Sequence, residues 1–183
     1  MDQIKKILIE SGASAEVIAK ILGIAERIGM SGKVRITTYK AGTKEVIRQT
    51  PWFKNLLVSS NGYGRNLIAQ RLAGTNTYSL NVTHGEMGTG AVAPQNGDIA
   101  LAIPTVRGVM TTATVANNIA QLQFFFSDAT LPNGTYYEFG SFIDGTGTIG
   151  TGRMLNHVLF GTPYLKNIGE DTTIEVDLTI SSI

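Results

Sequence analysis

A chain of 183 residues with 43% apolar content is long enough to bury one core and too apolar for a disordered segment. It has no cysteine, which excludes a disulfide framework and thiolate chemistry, and no apolar run approaches the roughly 20 residues of a membrane helix. The net charge of +1 hides a split: residues 1–71 carry 12 of the 15 Lys and Arg with 5 acids and stand at +7, while residues 72–183 stand at −6.

The first 29 residues read as helix. Ile4, Ile7 and Leu8 share a face, the run Ser11 to Ser14 interrupts, and Ser14 then makes a good N-cap with Glu16 in the first turn. Ile18, Ile21, Leu22, Ala25 and Ile28 follow at helical spacing, with Gly29 placed as a C-cap. Residues 1–32 are therefore read as a helical arm and residues 33–183 as a separate β domain. The stripe suits either packing on the domain or burial against another subunit.

Period two replaces helical spacing after Gly32. Val34, Ile36 and Thr38 alternate with Arg35, Thr37 and Tyr39, and a turn at Ala41-Gly42 leads to a second strand through Val46 and Ile47, so a hairpin is expected. "RNLIAQRLAG" is the one convincing central helix, stopped by Gly74. From Thr77 onward the pattern predicts strands over 78–83, 98–103, 106–116, 120–126, 136–143, 154–160 and 173–180, with turn signals about every ten residues. Ile174, Val176, Leu178 and Ile180 alternate with Glu175, Asp177, Thr179 and Ser181, as in a strand with one buried and one wet face. The expected fold is mainly β: an antiparallel, jelly-roll-like β-sandwich with an N-terminal helical arm and one short central helix.

Several short motifs invite a chemical reading. Gly145, Gly147 and Gly150 spell G-x-G-x-x-G, but "RMLNHVLF" after them reads as strand. The helix N-terminus that would hold a pyrophosphate is missing, so the stretch reads as a hairpin loop. Asp144 begins a superficial calcium-loop pattern that Thr and Leu break, and neither His84 nor His157 has a second ligand at metal spacing. No metal and no cofactor is therefore expected. His84 and Glu86 in "THGEMG" could do acid–base work, but they read more simply as a loop histidine beside an exposed glutamate, and His157 as a surface or satisfied polar residue. No catalytic set emerges, and a hydrolase built on His84 and Glu86 ranks last.

Trp52-Phe53 and Phe124-Phe125-Phe126 concentrate the aromatics. Three consecutive Phe in a strand cannot share a face, so one, such as Phe125, points away from the core and calls for cover by a helix, a sheet or another subunit. Trp52, Phe53, Phe125 and the stripe from Ile18 to Ile28 are the candidate assembly interface. The cations are spaced singly, as at Lys20, Arg35 and Lys54, which argues against nucleic acid and for docking on an acidic protein surface, including the acidic half of another copy. The N-terminus does not resemble a secretory signal, because Glu10, Ser11 and Gly12 break its apolar positions. A chain soluble as synthesised, with no membrane partner, is expected.

The order of segments carries a family resemblance. "RNLIAQRLAG" precedes "NVTHGEMGTGAVAPQNGDIALAIPTVR"; then come "LQFFFSDATLPNGTYYEFGSF" and "GRMLNHVLFGTPYLKNIGEDTTIEVDLTIS". From about residue 58 to 183 this series resembles small virion proteins of tailed bacteriophages, described as tail, tail-fibre or baseplate-associated. The resemblance implies a non-enzymatic β-sandwich located in the virion, assembled in the host cytoplasm, homo-oligomeric and docked on other virion proteins. A capsid-decoration or head-fibre protein is the alternative within that class. A carbohydrate-binding module using Tyr63, Tyr136 and Tyr137 is the alternative from another.

Overall fold

The computed structural model describes residues 10–12 and 28–182, so the stripe residues Ile18, Ile21, Leu22 and Ala25 lie outside it. Residues 31–179 form one compact unit, distinct from that assigned to the chain ends. Its order is β1 (Ile28–Lys40), β2 (Val46–Gln49), β3 (Phe53–Leu57), α1 (Gly64–Leu72), β4 (Val82–Gly88) and β5 (Pro104–Ala116). Then follow β6 (Ile119–Phe126), β7 (Gly134–Ile143), β8 (Arg153–Lys166) and β9 (Glu170–Ser182).

The strands close on themselves. Spatial order runs β2-β1-β3-β8-β7-β4-β5-β6-β9, and β9 pairs with β1 to complete the circuit. β2 and β3 both pair with the same side of β1, as one returning strand broken around Pro51. At that break Thr50 Oγ1 accepts from the Ile36 N–H (3.0 Å), replacing a main-chain acceptor. Counting β2 and β3 as one, this is an eight-stranded antiparallel β-barrel, which corrects the sandwich expected from the strand spacing. Both folds share that spacing; what separates them is the union of β1 with β9, two segments at opposite ends of the unit.

Alternation fills the barrel. Val34 and Ile36 of β1, Leu122, Phe124 and Phe126 of β6, and Ile174, Val176 and Leu178 of β9 are buried. The Phe124 ring meets that of Phe139 with centroids 5.3 Å apart. An eight-stranded barrel is narrow enough for side chains to fill, and here they do. Outside the wall lies a second apolar cluster of Val58, Leu101, Phe142 and Met154 with Tyr63 against it, and α1 rests against β8.

Three local expectations change. Ile28 to Met30 belong to β1, so Gly29 is no helix cap. "THGEMG" lies in strand β4 rather than a loop. Residues 98–103 form no strand; they are part of the segment connecting β4 to β5.

Candidate functional site

One row of side chains crosses the outer face of the wall. Register places Arg107 (β5) opposite Glu86 (β4), Glu86 opposite Gly140 (β7), and Gly140 opposite His157 (β8). Glu138, two residues before Gly140, shares that face. Strand periodicity alone therefore gathers two acids, an arginine and a histidine on one side of the barrel.

The β7–β8 loop folds over the first pair. Arg107 Nη1 bonds Glu86 Oε1, Arg107 Nε donates to the Thr146 carbonyl (2.7 Å), and Nη2 donates to the Thr151 carbonyl (2.8 Å). The Gly150 N–H donates to Glu86 Oε1 (2.9 Å), and the guanidinium lies 4.6 Å over the Phe142 ring. Glu86 Oε2 has no partner among the described residues. The side chains are 1% and 0% exposed, so Glu86 is a buried strand residue and not the exposed loop glutamate expected. The glycines of the G-x-G-x-x-G spelling do form a loop: Gly145 leaves no room for a Cβ beside the Arg107 guanidinium, and Gly150 sits at φ +79°. The loop closes over this internal guanidinium.

The segment between β4 and β5 covers the second pair. Glu138 accepts the N–H groups of Gly90 (3.0 Å), Ala102 (3.0 Å) and Ile103 (2.8 Å), and Oε2 meets His157 Nε2 at 2.9 Å. His157 Nδ1 meets Asp98 Oδ2 at 2.7 Å. Burial pushes the Glu138 carboxyl up, but the hydrogen bonds from His157 and the Ile103 and Ala102 N–H groups outweigh it and hold the carboxyl below its ordinary value. Burial likewise pushes His157 down, and its bonds to Glu138 and Asp98 prevail, raising it. The two carboxylate neighbours thus favour the protonated form of the imidazole. His157 is the satisfied polar residue foreseen as one of its two readings.

Both His157 nitrogens face carboxylates, which therefore approach opposite edges of the ring. Among the described residues no group of three or more His, Asp or Glu converges at ligand spacing. His84, on the same face of β4 as Glu86, is pushed down first by burial and then by the Arg107 charge, and bonds Thr83 Oγ1 (3.0 Å). A further buried cation does the same work elsewhere: Lys166 Nζ donates to Asp128 Oδ1 (2.6 Å), Asn133 Oδ1 (3.2 Å) and the Asn167 carbonyl (2.7 Å). These charges hold loops to the wall.

The exposed features lie on β5 and β6. Every residue from Thr111 to Asn118 is exposed, Val115 at 78%, and no charged residue occurs between Arg107 and Asp128. β5 pairs with β4 only as far as Val109, whereas it pairs with β6 out to Ala116. Among the described residues no strand pairs with the β4-side edge of Thr111–Ala116. The tip is a two-residue turn, with Asn117 at φ +54°.

The candidate interface residues are scattered by comparison. Phe125 is 45% exposed between two buried Phe, pointing outward as strand geometry requires. Phe53 packs on Phe160 at 5.6 Å, and Trp52 carries Lys33 Nζ at 4.3 Å and Arg35 at 4.5 Å over its ring. Ile28 opens β1. Of the aromatics suggested for sugar binding, Tyr136 is buried on β7 and Tyr63 packs under Arg153 at 4.7 Å, while Tyr137 is half-buried. The hairpin edge escaped sequence reading, although its charge-free run of Thr, Ala and Val between Arg107 and Asp128 is the signal that could have found it.

Fold and site together define an antiparallel β-barrel that holds two buried charge clusters beneath loops and, among the described residues, leaves one hairpin edge unpaired. Comparison with protein-family models, with curated proteins and with solved structures finds no match for the chain.

Proposed function

We propose that this chain is a non-enzymatic structural component of a tailed-phage virion, associated with the tail or baseplate, that works by oligomeric assembly and docking. The observation that carries assembly is the uncharged edge of β5 at Thr111–Ala116, which is unpaired among the described residues. Monomeric proteins protect such edges with Lys, Pro, bulges or covering loops. This one has none of those charges, and its residues favour extended pairing. The engaged state of Glu86, Glu138 and His157 supports a role without catalysis. The resemblance of segments from about residue 58 onward supports the particle, with other virion proteins as partners.

Two measurements test the reading. In light scattering behind size exclusion, the chain is expected to run as a homo-oligomer, and Val115→Lys to dissociate it with an unchanged melting temperature, since Val115 is exposed. An oligomer that survives Val115→Lys rules out the hairpin edge. Immunogold labelling of parent particles is expected at the tail or its tip; label over the head moves the chain to the capsid surface, and unlabelled particles end the virion reading.

A further inference from the structure

The outer face formed by β5, β6, β9 and β1 has a regular arrangement of its own. Two rows of side chains cross four strands. In one row Thr112 (β5) lies opposite Gln123 (β6), Gln123 opposite Glu175 (β9), and Glu175 bonds Arg35 of β1 at 2.7 Å. In the other, Thr114 lies opposite Gln121, Gln121 opposite Asp177, and Asp177 pairs with Lys33 at 3.3 Å. Trp52 closes the β1 end, resting over Lys33 and Arg35. Apart from Lys33, these residues line an open groove of about 190 Å³.

We propose that this groove binds a neutral saccharide, with Trp52 as the stacking surface and Gln121, Gln123, Glu175 and Thr112 as the hydroxyl-recognising groups. Charge selects the class. The groove's one cation, Arg35, is already paired with Glu175, and its other acid, Asp177, pairs with Lys33 beside the lining, so the groove offers no spare positive charge to attract a polyphosphate or a sulfated polymer. Hydrogen-bonding capacity points the same way. Gln123 engages the chain through its carbonyl, and the Gln121 side chain only accepts from Thr114 Oγ1 at 3.4 Å, leaving amide donors and acceptors open to a ligand. Apolar lining is confined to Trp52 and to Leu122, which is buried. An extended apolar partner finds little to cover there. A ring with hydroxyls on its edge and C–H groups on its face matches amides and carboxylates beside one indole.

Trp52 is the only tryptophan of the chain, so its emission reports the groove directly. The probes are neutral trisaccharides of glucose, mannose, galactose and N-acetylglucosamine, with heparin as the anionic contrast. At least one neutral probe is expected to give a saturable emission change. Gln123→Ala should weaken that binding about tenfold, the loss of roughly one hydrogen bond to a ligand, without moving the melting temperature. If Gln123→Ala lowers the melting temperature, Gln121→Ala, at an exposed groove position on β6, serves in its place. Silence from every neutral probe into the millimolar range overturns the proposal. So does a response to heparin alone, and so does binding unaffected by the groove substitutions. The groove and the assembly edge are probed by different variants, so either can fail without the other.

Discussion

At the scale of single residues, the buried charges set the largest local energies. Arg107 and Glu86 are both withdrawn from water, and each keeps the other from being an isolated ion in a low-dielectric wall. Arg107→Met is expected to cost about 3–5 kcal/mol in chemical denaturation, because it strands Glu86 and releases the Thr146 and Thr151 carbonyls. Adding Glu86→Gln to that variant should recover part of the loss, since the buried ion goes with it; no recovery would place the cost in loop contacts rather than in the unpaired charge. Sequence reading found His84 and Glu86 as neighbours but mistook the second for a surface residue. Nothing near Glu86 in the chain betrays its burial, for its cation lies 21 residues on and its cover 64 residues on.

At the scale of elements, loops are fitted to the wall by backbone shape as well as by charge. At Gly152, with φ +80°, an added Cβ would stand 2.5 Å from the Ile143 carbonyl and 2.7 Å from the Gly145 backbone, neither of which can rotate away. Gly152→Ala should therefore lose about 1–3 kcal/mol and speed hydrogen exchange through residues 144–152 ahead of the rest of the barrel. Uniform exchange with unchanged stability would show that the loop adapts. The elements most legible in sequence were those with one wet face: β9 buries Ile174, Val176 and Leu178 as expected, though Ile180 is exposed and Asp177 buried against expectation, and α1 begins and ends near the expected residues. β4 was hidden because "THGEMG" spends two of its positions on glycine, and Gly85 has to be small where the Phe139 and Phe124 rings close over it. β8 extends to Lys166, past a Gly-Thr-Pro that reads as a terminator.

At the scale of the whole barrel, the charge split of the sequence becomes a seam. Cations of β1 and β2 meet acids of β9: Lys33 with Asp177, Arg35 with Glu175, and Arg48 with Glu170. The acidic partner suggested by composition is, at these positions, the chain's own last strand. The Arg48 hydrogen bond holds the Glu170 carboxyl down at about 2, against an ordinary 4.5. A carboxyl lowered in this way adds stability that is complete above its unfolded value and disappears as pH falls through its folded one. Acid titration of the unfolding free energy is thus expected to decline between about pH 4.5 and pH 2. Glu170→Gln should flatten that part of the curve and lower the neutral-pH plateau by roughly 1–2 kcal/mol, a figure reduced for the exposure of Arg48. A variant with the wild-type slope would transfer the acid response to other carboxylates.

That seam also has a consequence in time. Arg35 and Glu175 are 140 residues apart, so the ribosome makes the cationic lip of the barrel long before the acidic lip that fits it. Until β9 emerges, β1 and β6 both lack their neighbour, and contacts of such span are slow to form. The nascent protein therefore passes through an interval with two open lips, a cationic one on β1 and an uncharged one on β6. When β9 does emerge it can fill the gap of a crowded neighbour as well as its own, so closure of the barrel competes with exchange of β9 between chains.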